Sequence, residues 1–251
     1  MPTQLKYDTK LTKNKHLALI LNPDQDLNGT DLTAEEQAYV TAQIRHKNKL
    51  IVLNRLSHRV YIIITTPKPA LPAYHEEVRK AGFELQKLLK TDKAEEIFLS
   101  DLTHTSASYY LAEGLFLSNY AFDKYKTDKR GASLLTSIII TDSTIAEAEV
   151  TELNNVLQGV YLARDLVNEP HNYQSAEQLA ETIVAVGENA GFKTETLDLL
   201  KIQALKMGGI LAVNQGSIDP PTFSILEWKP ENAGNRQPYV LVGKGVVYDT
   251  G

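Results

Sequence analysis

Val60-Tyr-Ile-Ile-Ile-Thr65 places three consecutive isoleucines between a valine and a threonine. β-Branched and aromatic side chains pack well on a pleated surface, so this run reads as a strand. Pro72 then opens a helix to about Leu89, with Val78, Leu85, Leu88 and Leu89 near one face. Ile97-Phe-Leu99 is a short strand again.

The alternation extends in both directions. Upstream, Leu50 to Leu53 and His16 to Leu21 read as strands. Between them, Thr33-Ala-Glu-Glu36 is a capping box that starts a helix to about Lys47. Downstream, Ser106 to Ala121 is a helix of small and aromatic residues, and Leu134 to Ile140 is a strand. Tyr109, Tyr110, Phe116 and Tyr120 fall at helical spacing, which suits core packing. Residues 122–133 are polar and read as a surface loop. Alternating strands and helices mark an α/β layered domain with a largely parallel sheet.

The composition sets limits on function. The chain has 251 residues, 43% hydrophobic and 23% charged, which is ordinary for a globular protein. It has no cysteine, which excludes disulfides, thiolate metal sites and cysteine nucleophiles. The formal net charge is -5 and no long basic run occurs, so neither composition nor pattern indicates a nucleic-acid partner. The acidic excess lies in residues 151–251. No stretch approaches the roughly 18 apolar residues of a membrane span. The N-terminus lacks the apolar core of a signal peptide, so the expected compartment is the cytoplasm. Asn28-Gly29-Thr30 then reads as a turn, not a glycosylation site.

Thr144 with Glu147 suggests a capping box for a long helix reaching Val167, which Pro170 stops. A long helix between folded units suits a connector. The expected division is residues 1–145 as an N-terminal α/β domain, 146–170 as linker helix and junction, and 171–251 as the beginning of a second α/β domain. Arg164 and Asp165 are expected to pair across the linker, without a chemical role. In the second unit, Ser175-Ala-Glu-Gln178 is a capping box and Gly191 fits the cap after that helix. Thr194 to Leu197, Ile210 to Val213, Phe223 to Trp228 and Tyr239 to Val242 read as strands, with a short helix from Leu199 to Met207.

The six histidines, His16, His46, His58, His75, His104 and His171, show no metal-ligand spacing. Gly243-Lys244-Gly245 fails the phosphate-loop and dinucleotide patterns, because Pro238, Val246 and Tyr248 occupy required positions. What remains is Lys244 at the carboxyl end of an apolar run, flanked by glycines, with Asp249 five residues on. Carboxyl ends of strands are where ligands bind in open α/β sheets. Burial and a nearby dication both favour the neutral amine, so Lys244 could donate a lone pair, and Asp249 could bridge two hard cations. An ordinary pair of strand-end lysine and turn aspartate accounts equally for the spacing.

Val242-Gly-Lys-Gly-Val-Val-Tyr-Asp-Thr-Gly251 resembles the first metal-binding motif of the leucyl aminopeptidase (cytosol aminopeptidase) family. Three further segments agree in order: Glu113 to Lys126, Ala163 to Ala180, and Met207 to Ser217 with Pro220 and Pro221. Residues 1–110 are similar to the family in pattern only. The resemblance implies a smaller N-domain, a linker helix and a catalytic domain resembling that of zinc peptidases. It implies that Lys244 ligates one metal and Asp249 bridges both. It further implies two divalent ions, zinc, manganese or magnesium, a peptide substrate with a free N-terminus, release of one N-terminal amino acid, and a homo-hexamer.

The chain stops at Gly251, inside that motif. The resemblance implies that a catalytic lysine, an arginine and further Asp and Glu ligands follow. The expectation is therefore a metalloaminopeptidase chain that is not active alone. The competing expectation is a noncatalytic α/β module that binds a small ligand or a partner.

Overall fold

A computed structural model describes residues 3–68, 71–128 and 131–245. Positions 129–130 of the expected surface loop lie outside the described residues. Contacts divide the chain into two compact units, Met1–Asp165 and Leu166–Gly251.

In the first unit, β1 (Gln4–Tyr7), β2 (Leu17–Leu21), β3 (Leu50–Asn54), β4 (Arg59–Ile64), β5 (Glu96–Asp101) and β6 (Ser137–Ile140) form one sheet. Their order is β1-β6-β5-β2-β4-β3. All neighbours run parallel except β3 and β4, which form an antiparallel hairpin. The helices are α1 (Ala34–Arg45), α2 (Leu71–Thr91), α3 (Ala107–Ser118) and α4 (Glu147–Asn168). Ala18 and Ile20 of β2 face the core shared with α2, α3 and α4. Leu17, Leu19 and Leu21 face the core shared with Val40 of α1. Both faces are covered, which is why these strands are apolar throughout.

Parallel strands need crossovers, and the crossover helices α2 and α3 pack very closely. A Cβ on Gly82 would sit 2.5 Å from the carbonyl oxygen of Leu111. Arg79 spans the same contact, its Nε donating to Glu113 at 2.6 Å.

Strand β1 gives no signal in the sequence, because only Leu5 of its four residues is buried. Tertiary partners hold it. Its backbone pairs with β6 on one side, and on the other the N–H of Leu5 donates to Asn154 Oδ1 at 2.9 Å. Gln158 Nε2 donates to the carbonyl of Thr3 at 2.7 Å. The long helix thus blocks a sheet edge that would otherwise present free backbone groups.

The Thr144–Glu147 capping box does not form. Thr144 gives both its N–H and its hydroxyl to Asp142, and Glu149 accepts the N–H of Ala146 instead. Arg164 and Asp165 do not pair with each other. Arg164 donates to the carbonyl of Leu117 at 2.8 Å, and Asp165 accepts from the Tyr120 hydroxyl at 2.8 Å. Carbonyls at a helix C-terminus lack intrahelical partners, and α4 supplies them to α3 through Arg164 and Tyr161.

The second unit contains α5 (Ala176–Asn189), β7 (Lys193–Leu197), α6 (Leu199–Ala204), α7 (Gly208–Asn214) and β8 (Phe223–Glu227). Strands β7 and β8 form a two-stranded antiparallel ribbon. The expected capping box at Ser175 and Gln178 is present, and Gly191 has φ +78°. Gly187 of α5 lets the ribbon approach, since a Cβ there would meet Thr194 Cγ2 at 2.6 Å.

Two expectations fail in this unit. Ile210 to Val213 belongs to helix α7, not a strand, with the N–H groups of Ile210 and Leu211 bonded to the carbonyl of Met207. A four-residue apolar run fits either period, and here the local turn prevails. Tyr239 to Val242 is not in a strand and is exposed. A strand exists only by pairing, and β7 and β8 pair only with each other.

Candidate metal-binding segment

Lys244 lies in an extended segment after β8 and is exposed. Next to it, a Cβ on Gly245 would lie 3.8 Å from Leu179 Cδ2 of α5, so the segment ends beside that helix. Solvent surrounds the amine, and neighbouring protein does not desolvate it. Asp249 lies outside the described residues. An amine and a carboxylate are donors that divalent ions accept. Among the described residues, no group of three or more His, Asp or Glu comes together that could hold a metal ion. Lys244 alone does not make a metal cradle.

The histidines stay apart, each in a local role. His16 accepts the N–H of Arg59 at 3.3 Å through Nδ1. Burial lowers its pKa below the usual imidazole value, against an opposing pull from Asp92. His75 stacks on Tyr110 with ring centroids 3.7 Å apart. His46 caps the C-terminus of α1.

The buried carboxylates lie elsewhere, at the carboxyl ends of β5 and β6. Asp101 accepts from the N–H groups of Thr103 at 2.8 Å, Thr105 at 3.3 Å and Ala107 at 2.8 Å, and from the Thr103 hydroxyl. Asp142 accepts from Ser108 Oγ at 3.0 Å and from Thr144. These oxygens are taken up by turn N–H groups and hydroxyls, so they shape loops and are not arranged for acid–base chemistry. The signal was legible: Asp101-Leu-Thr103 and Asp142-Ser-Thr144 each follow a strand as Asp-x-Thr. Asp101 also stands in for the missing N-cap of α3, where Ser106 has φ +57° and makes no side-chain cap.

Among the described residues, no helix is long and apolar enough to cross a membrane.

Residues 161–251 match the model of the cytosol aminopeptidase family, catalytic domain. A probable cytosol aminopeptidase of Chloroherpeton thalassium is 35% identical over 218 residues, covering 77% of this chain and 42% of that protein. One from Rhizobium etli is 37% identical over 186 residues, covering 70% of this chain and 37% of that protein. The chain thus spans about two fifths of the length of these relatives. Among solved structures, a mutant tomato leucine aminopeptidase superposes with a TM-score of 0.65 at 18% identity, covering 89% of this chain and 50% of that one. The bottromycin maturation enzyme BotP in complex with Mn gives 0.64 at 19% identity, covering 88% and 46%. These two likenesses show a shared fold.

Proposed function

Because the chain belongs to the cytosol aminopeptidase family, we propose that it contributes to a metalloaminopeptidase that releases N-terminal amino acids from peptides. The observation that carries this reading is the family match over residues 161–251, which includes both Lys244 and Asp249. In this reading, residues 1–145 are the N-terminal α/β domain, 146–170 the linker helix and junction, and 171–251 the first part of the catalytic domain.

Lys244 Nζ and Asp249 would hold two divalent ions, manganese or zinc, with magnesium a further choice. Bound there, the ions would supply Lewis-acid chemistry at the scissile carbonyl. Lys244 contributes a neutral donor, and the glycines on either side let the backbone come close to the site. The manganese named in the BotP complex supports divalent-metal use by proteins of this fold. The cytoplasm is the proposed compartment, in keeping with the relatives' names, and a homo-hexamer the proposed assembly.

Two ligands do not complete a two-metal centre. We therefore expect the 251 residues assayed alone to show no turnover. The test uses the product of the complete reading frame that contains these residues. Hydrolysis of an amino-acid amide is measured with added manganese, before and after Asp249→Ala. Loss of metal-dependent turnover in the variant is the expected result, and unchanged turnover overturns the site assignment.

A further inference from the structure

The second unit carries the two halves of one interface. Tyr239, Val240, Leu241 and Val242 are 89, 74, 97 and 89% exposed. They form an uncharged run of β-prone side chains, yet they meet no strand of their own chain. The ribbon of β7 and β8 has two unpaired edges. Its register sets Phe223 opposite Leu197 and Ile225 opposite Glu195, on the face away from the Thr194–Leu226 pair that α5 covers. Phe223 and Ile225 are 39 and 43% exposed, with Leu226 and Trp228 exposed beside them.

We propose that Tyr239–Val242 of one copy of this chain adds as a strand to the β7–β8 ribbon of a second copy, and that the exchange is reciprocal. Each copy carries both the strand and the edge, so two copies satisfy each other around a two-fold axis and the assembly closes. Residues 228–238, with Pro230, Gly234 and Pro238, form the connection that lets the strand leave its own unit.

The area is sufficient. Eight large apolar side chains, each offering on the order of 100 Å², supply roughly the 800 Å² per partner of a standard interface. Main-chain hydrogen bonds along the added strand provide affinity, and alternate side chains cover Phe223 and Ile225. The pairing does not depend on the metallopeptidase reading.

The test is sedimentation of the intact 251-residue chain over a wide concentration range, with amide hydrogen exchange read at 239–242. The expected result is a twofold rise in mass with concentration, accompanied by protection of those amides. Leu241→Pro removes a ladder donor and should leave a monomer with unchanged circular dichroism, whereas Leu56→Asp on the first unit should leave the dimer intact. A monomer at every concentration overturns the proposal, whether or not 239–242 is protected. A dimer in which 239–242 exchanges freely, a dimer that survives Leu241→Pro, or open-ended aggregation in place of a dimer also overturns it.

Discussion

A Cβ placed on Gly114 of α3 would stand 2.1 Å from the carbonyl oxygen of Arg79 in α2. The obstruction is backbone, not the end of a flexible side chain, so the two helices must separate to admit it. Gly114→Ala is expected to destabilise the first unit by about 1–3 kcal/mol, more than alanine's gain in helix propensity of roughly 0.5–1 kcal/mol. Urea denaturation checks this; a stability equal to that of the parent would mean that the helices are not held at this distance.

Asp101 gathers three backbone N–H groups, and its own residue is buried. In Asp101→Ala those donors lose their acceptor, including the buried N–H of Ala107. A loss of about 1–3 kcal/mol is expected, with faster hydrogen exchange at Ala107. Retained protection at that amide would show that another acceptor serves it.

Glu36 closes the capping box of α1 and also receives Arg55, whose Nη2 lies 2.7 Å from Oε2. Arg55 holds the Glu36 carboxyl below its ordinary value of 4.5. A depressed folded pKa means that its stabilisation is complete above 4.5 and is lost as pH falls through the lower folded value. Glu77, held down by Lys49 and Lys68, has the same sign and is untouched by changes at Arg55. Arg55→Met should therefore be less stable than the parent at neutral pH, with the gap closing under acid. A gap that stays constant as pH falls would show that Arg55 acts by packing alone.

Asn154 gives the edge strand β1 its outer acceptor. Asn154→Leu leaves the N–H of Leu5 without that partner and should cost on the order of 1 kcal/mol. Exchange of the Leu5 amide should accelerate while that of Ile139 in β6 does not. Equal acceleration at both would indicate loosening of the whole sheet.

Calorimetric titration of manganese into the complete protein should lose heat of binding in both Lys244→Ala and Asp249→Ala. Full retention in either variant removes that residue from the proposed ligand pair.

Much of the first unit was legible along the chain. Thr33 and Glu36 announced α1, and the isoleucine runs at 62–64 and 138–140 announced central strands. Strand β1 was not, because its four residues carry one buried side chain and are held by Asn154, about 150 positions away. In the candidate site, Lys244 was recognised as part of a motif, but its surroundings were not. The reading placed it at the end of a paired strand, whereas Tyr239–Val242 pairs with nothing among the described residues.

Local chemistry written into the sequence determined the capping boxes, the Asp-x-Thr turns, the α/β alternation and the motif that shows the family. These depend on neighbours a few residues apart, and a short chain segment already contains them. Tertiary structure alone decided which backbone groups found partners. It supplied Asn154 to Leu5, brought Arg79 onto Gly114, turned Ile210–Val213 into a helix and left Tyr239–Val242 unpaired. A strand's hydrogen bonds belong to another segment, and no periodicity in the strand itself says whether that segment will be there.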